Sequence, residues 1–370
     1  MPGLLSSLVN ERSTVVCCGS GGAGKTTTSA AIALAGAVAG RRACVVTIDP
    51  ARRLADALGL AELSNEPRLV EGPWSGQLFA LMLDAKGTFD DLVRRYAGDP
   101  EQSERILSNR LYRNLTAALS GTQEYMAGEK LYELTESGRF DLVVVDTPPT
   151  RNALDFLDAP GRLTRFLENR VFRLLLVPGR ASMKALSVAS QALLRTISKV
   201  AGSEIVEDAV AFFKAFEGME QGFRERAKRV EQLLSDEGTA FVLVAAPRRD
   251  SVSEAHFFSE RLRQAGIPVA ALVMNRVLPD FEAGELAEGE SRQLVAPESP
   301  EQARSALLSL RRNLAELEKV AAIEHGYLRQ LEGGVEGVIV TVPYLANDVH
   351  DLEGLFLVAE HLVGQVASGK

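Results

Sequence analysis

The chain has few aromatic residues, few cysteines and no surplus of basic charge, and each shortage excludes a class of protein. Aromatic side chains make up 6% of the 370 residues, whereas 46% are hydrophobic and 24% charged. This balance is typical of globular chains and excludes disordered and collagen-like ones. Lysine and arginine number 41 against 49 acidic residues, giving a net charge of -8. A protein-wide basic field is therefore missing, and we expect no nucleic-acid partner.

The three cysteines form neither a metal-binding nor a redox pattern. Cys17 and Cys18 are adjacent and Cys44 lies in another apolar run, so we interpret all three as small apolar fillers of strands. The longest uncharged apolar stretch, Thr26 to Gly40, is shorter than the roughly 18 residues that a membrane-spanning helix needs. No basic cluster precedes an apolar segment near the N-terminus, so the sequence predicts a cytoplasmic protein without an integral membrane segment.

Short runs rich in valine, isoleucine, leucine and alanine, bounded by glycine, proline or aspartate, predict strands. They are Thr14 to Cys18, Ala43 to Ile48, Leu78 to Leu83, Leu142 to Val145, Phe241 to Ala245, Val269 to Met274 and Val338 to Val342. Because these runs are apolar throughout rather than alternating, both faces of the sheet are expected to be covered. Segments with helical spacing lie between them. The sequence therefore predicts an α/β fold with a doubly wound, mostly parallel sheet.

Two intervals lack a strand pattern and predict helices: Lys86 to Gly138 and the longer block of residues 155–237. We predict one discontinuous domain, 1–154 and 238–370, with 155–237 as an inserted helical subdomain. The end of this block has apolar residues mostly three or four apart: Ile205, Ala209, Phe212, Phe216, Met219, Phe223, Val230 and Leu234. We favour a core seam for this stripe over a groove for a hydrophobic protein client, since such stripes are usually buried.

Two further helices are predicted near the C-terminus. Pro300 to Leu331 has helical spacing with charged residues on its exposed faces, and the glycine- and glutamate-rich stretch before it predicts a surface loop. Leu352 to Val366 is apolar, but its acidic residues suit it poorly to anionic lipid. We therefore interpret it as a helix that packs on the body of the protein.

A phosphate-binding loop is the strongest motif in the chain. The motif G-x-x-x-x-G-K-[ST] is matched by Gly19, Ser20, Gly21, Gly22, Ala23, Gly24, Lys25 and Thr26. It follows a predicted strand and opens a predicted helix, which continues through Thr27. Glycines allow the backbone N–H groups to surround phosphate oxygens, the lysine adds a charge on the outer phosphates, and the threonine offers a hydroxyl to Mg²⁺. A glycine turn without function would not require lysine and threonine here.

Two other strands end in an acidic residue. Asp146 follows the run Leu142 to Val145, and in a parallel sheet it would emerge beside the phosphate loop, where a carboxylate can hold Mg²⁺ directly or through water. Asp49 follows the second strand and can orient or deprotonate the attacking water. It can equally cap a helix from Ala51 to Leu58, with Pro50 at the first helical position.

Together these motifs resemble the ArsA/Get family of P-loop ATPases, which includes arsenite-pump ATPases and the ATPase that targets tail-anchored membrane proteins. The GGxGKT loop, the first switch and the second switch of that family correspond to Ser20 to Thr26, Asp49 to Arg52 and Asp146 to Thr150. The resemblance implies a P-loop NTPase that binds ATP or ADP with Mg²⁺ and works as a dimer. It also implies that Asp49 acts on water, that Asp146 lies near Mg²⁺, and that Asn275 contacts adenine opposite a wall formed by Pro343 and the loop after it.

The chain departs from the family pattern at four places. Arg52 replaces the histidine of the first switch, Pro247 lies near the position of a glutamate, and the paired cysteines that bind zinc or arsenite are missing. Ser20 replaces the lysine that reaches across to the phosphates of the partner. A cation supplied in trans can accelerate phosphoryl transfer by ~10³ to 10⁵, so the resemblance predicts slow hydrolysis by a homodimer unless another group replaces this lysine.

These observations leave several functions open. The leading one is a Mg²⁺-dependent ATPase whose nucleotide cycle moves the helical block, which contacts a client or partner. A nucleotide-binding subunit with low turnover, paired with a lysine-bearing paralogue, is the alternative, and a chaperone for hydrophobic segments is a third. An arsenite pump is disfavoured because the metalloid-binding cysteines are missing.

Overall fold

The computed structural model describes residues 5–49, 53–110, 112–113, 122–147, 156–161, 208, 211–212, 214–281, 300–332 and 337–364. The main elements in these ranges are eight strands and ten helices. In chain order they are α1 (Ser6–Glu11), β1 (Thr14–Gly19), α2 (Lys25–Val38), β2 (Arg42–Thr47), α3 (Arg53–Ala57), β3 (Arg68–Val70), β4 (Gln77–Met82), α4 (Ala85–Tyr96), α5 (Pro100–Leu107), α6 (Thr122–Glu136), β5 (Leu142–Asp146), α7 (Glu220–Leu234), β6 (Thr239–Ala245), α8 (Arg249–Gln264), β7 (Val269–Val277), α9 (Pro300–Glu332), β8 (Val338–Pro343) and α10 (Leu352–Val363).

The eight strands form one sheet in the order β3-β4-β2-β5-β1-β6-β7-β8. Every neighbouring pair is parallel except β3 with β4. This confirms the predicted α/β fold, and each of the predicted strands is present. Because β1 lies between β5 and β6, the chain reverses its direction of winding beside β1, and ligands of such sheets bind at this switch point.

The sequence did not predict strand β3, which has three residues at the edge of the sheet. Its pairing with β4 is antiparallel and joins Arg68 to Ala80 and Val70 to Leu78. Only Val70 of the three residues is buried. Such a short segment has no readable periodicity, so it becomes a strand only because β4 offers an unpaired edge.

Helices cover both faces of the sheet, as the continuous apolarity of the strands predicted. On one face, α2 and α10 pack together over Val144 and Leu142, with α1 and α3 beside them. On the other face, α4, α6, α7 and α8 enclose Val143, Val145 and Phe241. The residues of strands β1, β2 and β5 are almost all buried. The loops at the carboxyl ends of these strands are therefore anchored to closely packed, rigid structure.

The phenylalanine-rich stripe is core, as the sequence analysis favoured. Phe212, Phe216, Met219 and Phe223 are all buried, and the rings of Phe216 and Phe223 lie 5.0 Å apart between centroids. They share one hydrophobic cluster with residues of the sheet. The hypothesis that these side chains line a groove for a client is therefore wrong. Ile205 and Ala209 lie outside the described residues, as does most of 155–237, so the domain boundary stays a prediction.

The cysteines agree with the sequence analysis, and both predicted C-terminal helices are present, with α10 packed on α2. Helix α9 differs from the expectation in that it exposes leucines as well as charged residues. Cys17, Cys18 and Cys44 are free and buried, and burial raises the pKa of the Cys18 and Cys44 thiols to about 12. Buried thiols with such pKa values are inert fillers. The predicted surface loop before α9 lies largely outside the described residues. In the ranges that the structure describes, no helix combines the length and apolarity needed to cross a membrane.

Candidate nucleotide-binding site

The loop between β1 and α2 curls because its glycines adopt backbone conformations that other residues avoid. Gly22 has a φ of 75° and Gly24 a φ of 95°, both in the left-handed region. Space is also limited, since a Cβ on Gly24 would lie 2.0 Å from Nδ2 of Asn275. Gly24 precedes the first residue of α2. The loop thus directs backbone N–H groups and a helix N-terminus to one point, an arrangement that binds anions.

Lys25 is the first residue of α2, and its ammonium group turns back onto the loop. Its Nζ donates to the carbonyl oxygens of Gly19 at 2.9 Å and Ser20 at 3.0 Å. Burial lowers the pKa of Lys25, and the charge of Asp146 partly opposes this effect. A buried ammonium held by two carbonyls gains from a nearby phosphate, because charge-assisted hydrogen bonds are stronger than neutral ones.

Asp146, at the end of β5, connects the loop to the neighbouring strand. Its Oδ2 accepts hydrogen bonds from Thr26 Oγ1 at 2.7 Å and Thr47 Oγ1 at 2.9 Å. Burial raises the pKa of Asp146 to about 6, although both hydroxyls and Lys25 oppose this shift. The carboxyl group is therefore costly to ionise without a further positive charge nearby.

The donors around Asp146 fit a magnesium ion. Its second oxygen, Oδ1, is buried and has no hydrogen-bond partner among the described residues. A buried carboxylate oxygen without a partner is unfavourable unless a cation or water binds it. Thr26 lies next to it and supplies the hydroxyl that such loops place on Mg²⁺. Oxygen donors of this kind are the ones that Mg²⁺ prefers.

Asp49 lies on the same edge of the sheet, two residues beyond β2. Its backbone N–H donates to Thr47 Oγ1 at 3.2 Å, so Thr47 is shared between Asp49 and Asp146. Asp49 also lines the cleft above the loop. Residues 50–52 lie outside the described ranges. The predicted start of α3, with Pro50 at its first position, and any contact of the Arg52 side chain therefore stay predictions. The same holds for residues 148–150 of the second switch.

A cleft of about 490 Å³ opens above these residues. It is lined by nine of the predicted site residues: Gly22, Gly24, Lys25, Thr26, Thr27, Asp49, Asp146, Asn275 and Pro343. The other loop residues, Gly19, Ser20, Gly21 and Ala23, complete the turn below this lining. Asn275 closes the cleft by donating from Nδ2 to the carbonyl of Ala23 at 2.9 Å. The structure thus brings the sequence-predicted residues together at one edge.

Ser20 is turned away from the cleft. Its hydroxyl lies 2.6 Å from the hydroxyl of Ser251, which also accepts from the backbone N–H of Ala246. Both serines are buried. The side chain at this position therefore holds the loop onto β6 and α8. Pro247, where the family pattern has a glutamate, is also buried.

The sequence analysis missed several residues in and around the cleft, and Thr47 and Arg276 are the two that bear most on its geometry. Thr47 precedes Asp49 in the second strand, and its hydroxyl was the available signal, since a threonine at a strand end can satisfy a neighbouring acid. Arg276 lines the cleft with a φ of 64°, beside a bulge between β7 and β8. Nothing in the sequence predicted this conformation, which arises from the mismatch in strand register.

A phosphate loop after the first strand, with an acidic residue after the adjacent strand, defines a P-loop NTPase. The family model of the anion-transporting ATPase, ArsA, matches residues 12–298. The ATPase get3 of Aspergillus terreus is 27% identical over 295 residues, which cover 78% of this chain and 81% of that protein. An ATPase ASNA1 homolog of Babesia bovis is 27% identical over 286 residues, covering 77% and 72%.

The chain therefore belongs to the ArsA ATPase family. It is an ATP hydrolase and uses ATP with Mg²⁺, in agreement with the lining of the cleft.

Proposed function

We propose that the chain is a dimeric Mg²⁺-ATPase in which the nucleotide state of the cleft is passed to the helical block of residues 155–237. One observation carries this proposal: the Asp146 carboxylate joins Thr26 of the phosphate loop to Thr47, which in turn contacts Asp49. A change at the phosphates therefore reaches both acidic strand ends at once. Asp146 leads directly in sequence into the helical block.

The proposed roles follow from position. When ATP binds, Lys25 exchanges the carbonyls of Gly19 and Ser20 for phosphate oxygens. Thr26 and Asp146 would hold Mg²⁺, and the ion would supply neutralisation of the charge that develops on the phosphates. Asp49 orients the attacking water or accepts its proton, and Asn275 with Pro343 borders the base. The six residues given roles toward ATP, Mg²⁺ and water, Lys25, Thr26, Asp49, Asp146, Asn275 and Pro343, all line the cleft.

A pair of aspartates tests the role of Asp49. Asp49 and Asp56 both line the cleft, but only Asp49 is linked to Asp146 through Thr47. We expect Asp49→Asn to bind ATP normally and to lose hydrolysis by at least ~10²-fold, a size typical of losing a general base. Asp56→Asn should lose much less. Equal losses in both variants, or normal turnover by Asp49→Asn, would remove Asp49 from the mechanism.

Dilution tests the dimer. A site completed by two chains loses activity per chain when the protein is diluted below its dissociation constant. We expect the ATPase rate per chain to fall with dilution in step with the dimer fraction measured by light scattering. A constant rate per chain across a monomer-dimer transition would contradict the proposal.

A second candidate is a low-turnover subunit that works with a lysine-bearing paralogue, and the position of Ser20 favours it. Serine is uncharged, and the Ser20 hydroxyl contacts Ser251 rather than the cleft, so this position supplies no cation to the phosphates. Purified chain should then bind ATP but hydrolyse it slowly, and adding the paralogue should restore the rate. Fast hydrolysis by the chain alone would exclude this candidate.

A hydrophobic protein client and a cytoplasmic location remain parts of the proposal. The names of the relatives, ATPase get3 and ATPase ASNA1 homolog, agree with membership of the branch in which a client is expected. The stripe from Phe212 to Phe223 does not provide the client surface, since it is buried in the core.

A further inference from the structure

Helix α9 projects from the body of the protein. It has 33 residues, so it is about 50 Å long. Its C-terminal third packs against α8 and β7 through buried residues such as Ala321 and Leu331. In contrast, every residue from 305 to 320 is exposed except Leu314, which is half-buried. A segment of this length gains little stability from helix formation alone and needs a packing partner.

The projecting segment exposes large apolar side chains at coiled-coil spacing. Leu307, Leu310, Leu314 and Leu317 follow one another at intervals of three, four and three residues, and Ala321 continues the pattern into the buried end. Leu307 is 50% exposed, Leu310 60% and Leu317 42%. Alternating spacings of three and four produce a seam that fits a second helix of the same spacing. We call this row from Leu307 to Leu317 the leucine seam.

Charge along the projecting segment changes sign near its middle. Arg311 and Arg312 precede Leu314, whereas Glu316 and Glu318 follow it, together with one cation, Lys319. Arg312 and Glu316 approach each other along the helix at 3.7 Å, but both are highly exposed, so this pair contributes little. Arg311 and Glu318 flank the leucine seam and form no ion pair with any described residue. At the two positions that flank the leucine seam, Arg311 and Glu318, the segment is therefore complementary in charge to a second copy turned end to end.

We propose that α9 pairs in an antiparallel coiled coil with α9 of a second copy of this chain. The two-fold axis passes between Leu314 and Leu317, so each Leu314 packs on Leu317 of the other copy and each Arg311 faces Glu318. Parallel pairing would instead place Leu314 on itself and leave these charges unmatched. An apolar client segment would cover the leucines but would not match Arg311 and Glu318.

This contact goes beyond the proposed function because it lies outside the nucleotide site. No residue of α9 lines the nucleotide cleft in the described part of the chain. The pairing should therefore form without nucleotide and persist in a Lys25→Ala protein. It is a second contact between copies, and its loss can be separated from loss of an ATP-dependent dimer.

Cysteine cross-linking of the full chain tests the pairing, with low background because the native cysteines are buried. The variant carrying Leu314→Cys and Leu317→Cys should form a disulfide-linked dimer under mild oxidation without nucleotide. Leu314→Cys alone should cross-link at least fivefold less, and Lys319→Cys, at an exposed position outside the leucine seam, should stay monomeric. Efficient cross-linking by Leu314→Cys alone would demonstrate parallel pairing and overturn the proposal. Absence of linked dimer in the double variant would show another occupant and would also overturn it.

A charge exchange gives an independent test. Arg311→Glu should weaken α9-dependent dimerisation about three- to tenfold, as two symmetric exposed pairs become repulsive. Adding Glu318→Arg to the same chain should restore it, because the pairs re-form with their signs reversed. Equal dimerisation of all three proteins would contradict the antiparallel arrangement.

Discussion

The two walls of the nucleotide cleft are built differently. The phosphate wall, at the ends of β1, β2 and β5, is buried and already connected by hydrogen bonds, with Asp146 bound to Thr26 and Thr47. The opposite wall, at the ends of β7 and β8, is the one that we propose borders the base, and we call it the base wall. It is more open, with Arg276 and Tyr344 exposed. It touches the phosphate wall where the amide of Asn275 reaches Ala23.

The difference leads us to expect that the two walls recognise the nucleotide in different ways. The phosphate wall is preorganised, so it has little to rearrange except the ammonium of Lys25. The base wall depends on backbone shape, namely the bulge at Arg276 and the loop after Pro343. We therefore expect changes in the phosphate wall to abolish activity and changes in the base wall to tune binding.

Removing the phosphate-wall cation should have the largest effect. We expect Lys25→Ala to lower ATP hydrolysis at least ~10²-fold, since a donor aimed at developing charge contributes about this much. Steady-state hydrolysis and nucleotide binding measure the loss. The exposed Lys228→Ala is the matched control and should behave as wild type. Wild-type turnover by Lys25→Ala would show that phosphates bind elsewhere.

Neutralising Asp146 should separate activity from stability. Asp146→Asn should abolish Mg²⁺-dependent hydrolysis. In the nucleotide-free wild type, burial favours the protonated carboxyl group, so its contribution to the free energy of unfolding is full below pH 3.8 and is lost as the pH rises through about 6.

The loss for wild type amounts to at most about 3 kcal/mol, and Asp146→Asn should not show it. Thermal unfolding of both nucleotide-free proteins between about pH 4 and 7 covers the range in which this loss occurs. The free energy of unfolding of Asp146→Asn should rise relative to that of wild type as the pH rises. A constant difference across this range would contradict the raised pKa of Asp146.

Gly24→Ala should damage the junction of the two walls. Its Cβ would lie 2.0 Å from Nδ2 of Asn275, and its φ of 95° is already unfavourable for alanine. We expect nucleotide affinity to fall at least tenfold, with a loss of stability of about 1–3 kcal/mol. Gly138→Ala is the matched control, because its φ is 63° but no atom lies within 4 Å of its Cβ. That variant should lose stability and keep nucleotide affinity.

The base-wall arginine should have the smallest effect. Arg276→Gly removes the cost of a left-handed arginine, so we expect the free energy of unfolding to rise by up to about 1 kcal/mol. ATP affinity, measured by calorimetry, should fall only a few-fold through loss of the guanidinium from the cleft. Arg276→Lys, which keeps both charge and backbone strain, should restore most of the affinity without the gain in stability.

Sequence reasoning recovered the phosphate wall more completely than the base wall. The residues from Gly19 to Thr26 are contiguous, and Asp49 and Asp146 each end an apolar strand, so the pattern itself showed where they would meet. Asn275 and Pro343 came only from the resemblance to a family. Arg276 escaped because its conformation depends on a register shift between β7 and β8, which no local pattern shows.

By itself the sequence determined the parallel sheet, the phosphate loop and the acidic strand ends, because strand apolarity and glycine-lysine-threonine spacing are local properties of the chain. Tertiary structure alone decided the rest. It added the edge strand β3, turned Ser20 onto Ser251, joined Thr47 to Asp146, and left the leucine seam of α9 in solvent. Each of these features depends on which residues distant in the chain become neighbours, and that is fixed only when the layers pack.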